Sequence, residues 1–409
     1  MSEPDADPVP PAVPLLREPA DGVPEPLTTQ AELDDLIERM RTGTGPLAVD
    51  AERASGYRYS QRAYLVQLRR AGVGTVLIDP IALPSLGHLN EAIGGAEWIL
   101  HAANQDLPCL AELGLRPQRL FDSELAGRLL GEDRVALGTM VEQHLGVRLE
   151  KGHSAADWST RPLPRDWLIY AALDVELLVA LREVLVDALT SAGKDDWARQ
   201  EFEAVRLAPP PSPRTDPWRR TSGIHKIRNR RQLAVIRSLW LARDAYASER
   251  DIAPGRILPD AAIIDAARAE PTSAAALAAL PIFSGTRQRR QLARWFTAVD
   301  EASRLPDSEL PPTNGTGGDG IPPPARWRER DPAAAARLGL LREVVAALAA
   351  EHVVLAQNLL PSDIVRGLAW QPPEPATDTA VAQRLAELGA RPWQIELSAA
   401  RLAAALSAS

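Results

Sequence analysis

The chain has 409 residues and 45% hydrophobic content, enough for two to four soluble domains with real cores. Its single cysteine, Cys109, excludes an intramolecular disulfide and a Cys-rich zinc site. The net charge is -8, but residues 1–35 alone carry nine acidic groups against one basic group, Arg17, so the rest is near neutral and a nucleic-acid partner is not excluded.

Low cysteine use, no basic-then-apolar leader and no apolar run of membrane-span length together predict a cytoplasmic protein. Residues 1–26 are acidic and Pro-rich and read as a disordered tail. Residues 207–217, with "LAPPPSPRTDP", read as a stiff linker, and 304–327 as a longer, partly flexible one. Three bodies remain, at 27–206, 218–303 and 328–409. A cut near Leu207 is expected to leave the first body soluble, unless the bodies share a large apolar interface.

In the first body, "PLAVDAE", "AYLVQLRR" and "GTVLIDP" are apolar runs with short turns between them, which predicts antiparallel strands. "EWILHAA" predicts another strand, leading into the helical "DLPCLAELG". "SELAGRLLG" and "ALGTMVEQHLG" predict short helices, and "PRDWLIYAALDVELLVALREVLVDALTSAG" one long helix ending at Gly193. The result is an α/β body with a mixed sheet. The other two bodies read as helical and alike. "DIAPGRILPDAAIIDAA" aligns without gaps on "VVLAQNLLPSDIVRGLA", with Ile252 over Val354, Leu258 over Leu360 and Pro259 over Pro361, which suggests a duplication.

The chemistry begins in "PLAVDAE". Asp50 and Glu52 are two apart on a strand and share a face, where two buried charges repel and resist desolvation. Alone they read equally as surface carboxylates on an edge strand. Asp106 begins the helix after "WILHAANQ", where capping is the ordinary explanation. Tyr170 and Asp174 are four apart and share a helix face that continues apolar through Leu177, Leu178 and Leu181. No Lys or Arg lies three or four residues from Asp174 along the helix. A distant arginine could pair with it. A pair of divalent cations would answer for all four acids, because hard cations take carboxylate oxygens and turn mutual repulsion into attraction.

"VDAE", "LHAANQDLPCL", "LFDSELAGRLLG" and "DWSTRPLPRDWLIYAALDVELL" resemble the three motifs of the DEDDy 3'–5' exonucleases, and of ribonuclease D in particular, over residues 40–190. The stretch Asp157 to Leu163 is the most specific part. The resemblance implies an RNase H-like domain, a mixed sheet flanked by helices, followed by two all-α HRDC-like domains. It implies that Asp50, Glu52, Asp106 and Asp174 hold two divalent ions, Mg²⁺ or Mn²⁺. The first acid would bridge both ions, the second and fourth would hold the ion that activates water, and the third would serve the other. It makes Tyr170 the residue that orients the attacking water, since a phenol with a pKa near ~10 is a poor base at neutral pH. Ala51 stands where many relatives have Thr; neither is a ligand. Asp122 reads equally as a helix N-cap, His101 as a packed strand end, and Lys151 and His153 as solvated loop residues. Tyr57 and Arg58 are weak candidates for touching the terminal nucleotide.

Between Trp218 and Asp300 there are fifteen Lys or Arg against seven Asp or Glu. Arg219, Arg220, Lys226, Arg228, Arg230 and Arg231 form the densest group, and "GTRQRRQLARW" a second. Basic helix faces can follow a phosphate backbone, although Arg-rich surfaces are also commonly just solvated. The expected function is 3'–5' exoribonuclease action, releasing nucleoside 5'-monophosphates from tRNA precursors or other structured RNAs. A DNA exonuclease and a non-catalytic nucleic-acid-binding module are the alternatives, because no motif announces recognition of the 2'-hydroxyl.

Overall fold

The computed structural model describes residues 13–150, 152, 155–210, 212–313 and 320–408. Its first body is built on a five-stranded mixed sheet. The body's seven strands, two of them (β1 and β7) in a separate small sheet, are β1 (Leu15–Leu16), β2 (Thr44–Arg53), β3 (Ala63–Ala71), β4 (Gly74–Ile78), β5 (Glu97–Leu100), β6 (Arg119–Asp122) and β7 (Arg148–Leu149). The main sheet has the order β4-β3-β2-β5-β6, with β2, β3 and β4 antiparallel and β2, β5 and β6 parallel. The tight β3–β4 turn needs Gly72 and Gly74, which sit at φ of 83° and 84°, a region costly for other residues.

Helices of this body are α1 (Gln30–Thr42), α2 (Gly87–Ile93), α3 (Leu107–Glu112), α4 (Ser123–Leu129), α5 (Leu137–Leu145), α6 (Arg165–Glu176), α7 (Leu178–Ser191) and α8 (Asp195–Arg206). The single long helix expected to end at Gly193 is two helices, broken at Leu177, where φ and ψ are -108° and 3°. Helix α6 covers β2, β3 and β4, whereas α7 packs on β2, β5, α4 and α5. One chain direction could not serve both surfaces. Periodicity missed the break because Leu177, Leu178 and Leu181 continue one apolar face across it.

Residues 13–26, expected to be part of a disordered tail, are docked on this body. β1 pairs in parallel with β7, Ala20 N–H donates to Glu176, and Asp21 pairs with Arg69 at 2.9 Å. Composition marked them as acidic and Pro-rich, but Leu15 and Leu16 supply a strand edge and Asp21 a specific partner. Residues 1–12 lie outside the described residues, as do Lys151 and His153.

The second body comprises α9 (Arg230–Arg250), α10 (Pro254–Ile257), α11 (Asp260–Ala269), α12 (Ala274–Ala278), α13 (Thr286–Arg289) and α14 (Leu292–Arg304). The third comprises α15 (Trp327–Arg330), α16 (Pro332–Glu351), α17 (Ala356–Leu359), α18 (Ser362–Trp370), α19 (Asp378–Glu387) and α20 (Pro392–Ser407). The suggested repeat is visible in the helices. α9, α10 and α11 recur as α16, α17 and α18, and both long helices run into a residue with positive φ, Asp251 at 47° and Val353 at 50°.

The two helical bodies attach differently. The second has its own core around Leu239, Ile263 and Trp295. The third shares one continuous core with the nuclease body, in which Leu341, Leu368 and Trp393 are grouped with Leu185 and Phe202. No helix is long and apolar enough to cross a membrane among the described residues.

Candidate active site

Asp50, Ala51 and Glu52 end the buried stretch of β2, and strand alternation puts both carboxylates on the face covered by α6. Helix α6 brings Tyr170 and Asp174 to the same place, one turn apart. Carboxylate oxygens of Asp50, Glu52 and Asp174 lie within 4.8 Å of one another. Asp106 completes the set. It stands at the N-cap position of α3, yet its side chain accepts no capping hydrogen bond. Instead it lines the same cleft of about 350 Å³ as the other three acids and Tyr170. The capping explanation therefore fails for Asp106.

Capping holds for Asp122. Its carboxylate accepts from Glu124 and Leu125 N–H at the start of α4. It also accepts from Ala102 and Ala103 N–H at 3.1 and 2.8 Å, fixing the turn that carries Asp106, in which Ala102 has φ of 59°. His101 packs as expected. Its Nδ1 meets Ser123 Oγ at 2.9 Å, and burial pulls its pKa down to about 4.

The motif "DWSTRPL" acts from beneath. Arg161 makes a fork to Asp79, with Nε and Nη2 at 2.6 and 2.8 Å from its carboxylate oxygens. It also donates to the carbonyls of Tyr64, Trp158 and Thr160. This holds the wholly buried Trp158 against the ring of Tyr170, with centroids 6.4 Å apart. The sequence marked this stretch as specific without assigning it a role; here it supports the helix that carries Tyr170 and Asp174.

Electrostatics set the four acids apart. Burial raises the pKa of Asp50 to about 6, against the pull of Ala51 N–H and Arg53. Glu52 is pushed well above the carboxylate range, by burial first and then by Asp50, Asp174 and Asp106. Asp106 and Asp174 are raised by burial and by the charge of Asp50. No Lys or Arg forms an ion pair with any of the four among the described residues. Half-buried and buried acids crowded into one cleft with no ion-paired partner are a poor arrangement in themselves and a good one for oxygen-seeking divalent ions, so the residues present fit such ions.

The second body borders the loop after β2. Asp244 accepts from Tyr59 Oη at 3.1 Å, Asp251 from Ser60 N–H at 2.8 Å, and Arg256 donates to Gly56 carbonyl while its guanidinium lies 3.9 Å over the Tyr57 ring. One face of the Tyr57 ring is thus covered by Arg256, and Arg58 donates to Ser159. Of the six basic residues singled out in the sequence, four serve the fold. Arg219 pairs with Asp216 and Pro312 carbonyl, and Arg228 with His225 carbonyl. Arg230 donates to the carbonyls of Asp307, Leu310 and Pro311, and Arg231 to Leu305 carbonyl and the Asp307 carboxylate. Arg219, Arg230 and Arg231 fasten residues 305–312, which composition read as part of a flexible linker. Arg220 and Lys226 are exposed, with no side-chain partner among the described residues.

A mixed sheet that brings four acids and a tyrosine into one cleft, followed by helical bodies, defines a 3'–5' exonuclease of the kind that uses divalent cations. The 3'-5' exonuclease family matches residues 24–190, the HRDC domain 232–299 and the 3' to 5' exonuclease C-terminal domain 320–406. A ribonuclease D from Gluconacetobacter diazotrophicus is 30% identical over 363 residues, covering 86% of this chain and 88% of the relative. One from Acidiphilium cryptum is 33% identical, covering 72% and 76%. A solved structure of a protein from Bifidobacterium adolescentis superposes with a TM-score of 0.88 at 38% identity, covering 96% of this chain and 99% of that one. Escherichia coli RNase D, described as an exoribonuclease involved in structured RNA processing, gives 0.66 at 25% identity, covering 89% and 98%. The chain belongs to the ribonuclease D family of 3'–5' exoribonucleases.

Proposed function

We propose that the chain trims the 3' ends of structured RNAs, tRNA precursors among them, in the cytoplasm, releasing nucleoside 5'-monophosphates. The convergence of Asp50, Glu52, Asp106 and Asp174 on one cleft beside Tyr170 carries this reading. These four acids would hold two divalent ions, Mg²⁺ or Mn²⁺. Such ions, when bound, lower the pKa of water and offset charge on a phosphodiester undergoing in-line displacement.

The chain's own groups do the rest. The acids fix the place of the reaction on a rigid strand and helix, so little reorganisation is needed when substrate arrives. Tyr170 hydrogen-bonds to Asp174, and burial together with the surrounding carboxylates raises its pKa well above that of an ordinary phenol. Its hydroxyl therefore keeps its proton and orients the attacking water instead of deprotonating it. Residues 56–64, held by Asp244, Asp251 and Arg256, shape the approach to the cleft. RNA beyond the cleft would contact exposed cations of the second body, Arg220 and Lys226 and the cluster Arg287, Arg289 and Arg290.

The test is incubation of the purified chain with Mg²⁺ and a tRNA carrying a short 3' extension, beside matched single-stranded DNA. Stepwise loss of 3' nucleotides from the RNA as 5'-monophosphates is expected. Preferential loss from DNA would make the chain a DNA exonuclease. Binding without hydrolysis of either would make it a non-catalytic binding module.

A further inference from the structure

Arg53 ends β2, one residue beyond Glu52. In a regular strand its side chain would turn to the opposite face from Glu52. The pairing is irregular at this point: Glu52 lies opposite Leu65 and Arg53 opposite Ala63, so β3 carries an extra residue, Tyr64. Irregularities of this kind re-aim side chains and recur beside active sites. Arg53, half-buried, joins the lining of the acidic cleft.

Its surroundings are unusual for an arginine. Its charge reaches Asp50, Glu52 and Asp106, lowering the pKa of each carboxyl. Yet its side chain makes no ion pair and no hydrogen bond with any residue among those described. A guanidinium always carries its charge, and its five N–H donors form a fork that matches the oxygens of a phosphate. Here that fork is unclaimed beside three acids. On the reading above, four carboxylates and two divalent ions cancel in charge. A phosphodiester entering the cleft brings one further negative charge, and Arg53 is the cationic side chain of the lining that can meet it.

We propose that Arg53 is a substrate-binding residue whose guanidinium donates to the non-bridging oxygens of the scissile phosphodiester and, after cleavage, to the 5'-phosphate of the released nucleotide. This rests on the exonuclease reading. It separates Arg53 from the four acids: they hold cations, whereas Arg53 holds the anion. A merely structural arginine, present to quiet the acids, would have the opposite signature.

The experiment uses the full chain with Arg53→Met and Arg53→Lys. Ca²⁺ binding is measured by calorimetry, then binding of AMP and of adenosine in Ca²⁺, then the KM and kcat on RNA in Mg²⁺. Removing a like charge should leave Ca²⁺ affinity unchanged or higher. AMP affinity should fall roughly 10- to 100-fold in Arg53→Met, the range of a charge-assisted pair, while adenosine binding stays the same. The kcat/KM on RNA should fall in parallel. Arg53→Lys should restore part of both, since it keeps the charge and loses the fork. If Arg53→Met does not fold, Arg53→Lys carries the test and must still bind AMP several-fold more weakly than wild type. AMP affinity equal to wild type in the folded variants overturns the inference, as does loss of Ca²⁺ and AMP binding together. Wild-type protein that degrades no RNA from its 3' end overturns the exonuclease reading itself; an active wild type with indifferent variants sinks only the role of Arg53.

Discussion

Trp197 of α8 stacks on Trp393 of α20, with ring centroids 4.6 Å apart and planes within 16° of parallel. Around this pair, Trp393 Nε1 donates to Glu201 and Lys194 Nζ donates to the carbonyls of Leu129 and Val353. The third body is therefore part of the nuclease body's core, although about 120 residues separate their nearest ends in sequence. A cut near Leu207 would not release a self-sufficient nuclease body, because it would strip the apolar surface that α16, α18 and α20 cover.

Trp393→Ala tests this. Trp393 is 1% exposed, and truncating a buried tryptophan costs about 3–5 kcal/mol. Calorimetry of the wild type should show nuclease and third body melting together, and the variant should lower that transition while leaving the one from the second body in place. Independent melting of residues 13–206 and 327–408 would refute the shared core.

Asp50→Ala and Asp174→Ala should each abolish nearly all hydrolysis while keeping the fold, because each removes an oxygen from a cluster that spans only 4.8 Å. Metal-free stability should hold or rise, since a buried carboxylate repelled by its neighbours is gone. Activity above about a tenth of wild type in either variant, a barrier change under ~1.4 kcal/mol, would contradict the assigned roles.

Tyr170→Phe should be milder, with turnover falling roughly 10- to 1,000-fold, the scale of one transition-state hydrogen bond. The pKa of the Tyr170 hydroxyl is raised by burial and by Asp174, Glu52 and Asp50. Spectroscopic titration of the metal-free chain should therefore show no ionisation of this phenol near ~10. An ionisation there that vanishes in Tyr170→Phe would restore proton abstraction by the tyrosine.

Much of the site was legible because it sits on regular elements. Alternation in "VDAE" places Asp50 and Glu52, and the four-residue spacing places Tyr170 and Asp174. Asp106 was legible only through resemblance, since its local position spoke for capping. Arg53 was not legible. Reading it requires the irregular pairing opposite Tyr64, a tertiary feature that leaves no mark in "AERAS". Arg219, Arg228, Arg230 and Arg231 read as a nucleic-acid grip for a related reason: charge composition cannot tell a guanidinium facing solvent from one whose donors are taken by backbone carbonyls.

His101 supplies a pH test. Burial pulls its pKa in the fold down to about 4, below the ~6.5 of the unfolded chain. Between these values the unfolded state binds more protons, so this residue's contribution is fully present above pH ~6.5 and is lost as pH falls toward ~4, by at most ~1.4 kcal/mol per pH unit. Carboxyls whose pKa is raised by burial, such as Asp122 at about 6, slope the other way in this window. The difference between wild type and His101→Asn isolates the histidine. Chemical denaturation across this range should show the wild type losing its advantage as pH falls, and a flat difference would show that the ring is not held neutral.

The last prediction separates arginines that build the chain from arginines that face outward. Arg230 and Arg231 hold residues 305–312 through backbone carbonyls, so Arg230→Ala with Arg231→Ala should leave acceptors unmet at a cost of about 1–3 kcal/mol each. The second body should melt earlier, with RNA affinity little changed in its salt dependence. Arg287, Arg289 and Arg290 are exposed, with no side-chain partner among the described residues. Between them, Gln288 donates to Ile257 carbonyl at 2.7 Å, tying this segment to α10, whose Arg256 covers Tyr57 near the cleft. Replacing these three arginines by glutamate should weaken binding of structured RNA and flatten the plot of log affinity against log salt by about 0.7–0.9 for each phosphate no longer neutralised. Cleavage of a dinucleotide, which reaches little beyond the acids, should be nearly unaffected. Affinity is measured in Ca²⁺ to hold back hydrolysis. An unchanged slope in the triple variant, together with a flattened slope in the Arg230 and Arg231 variant, would move the RNA contact from Arg287, Arg289 and Arg290 to Arg230 and Arg231.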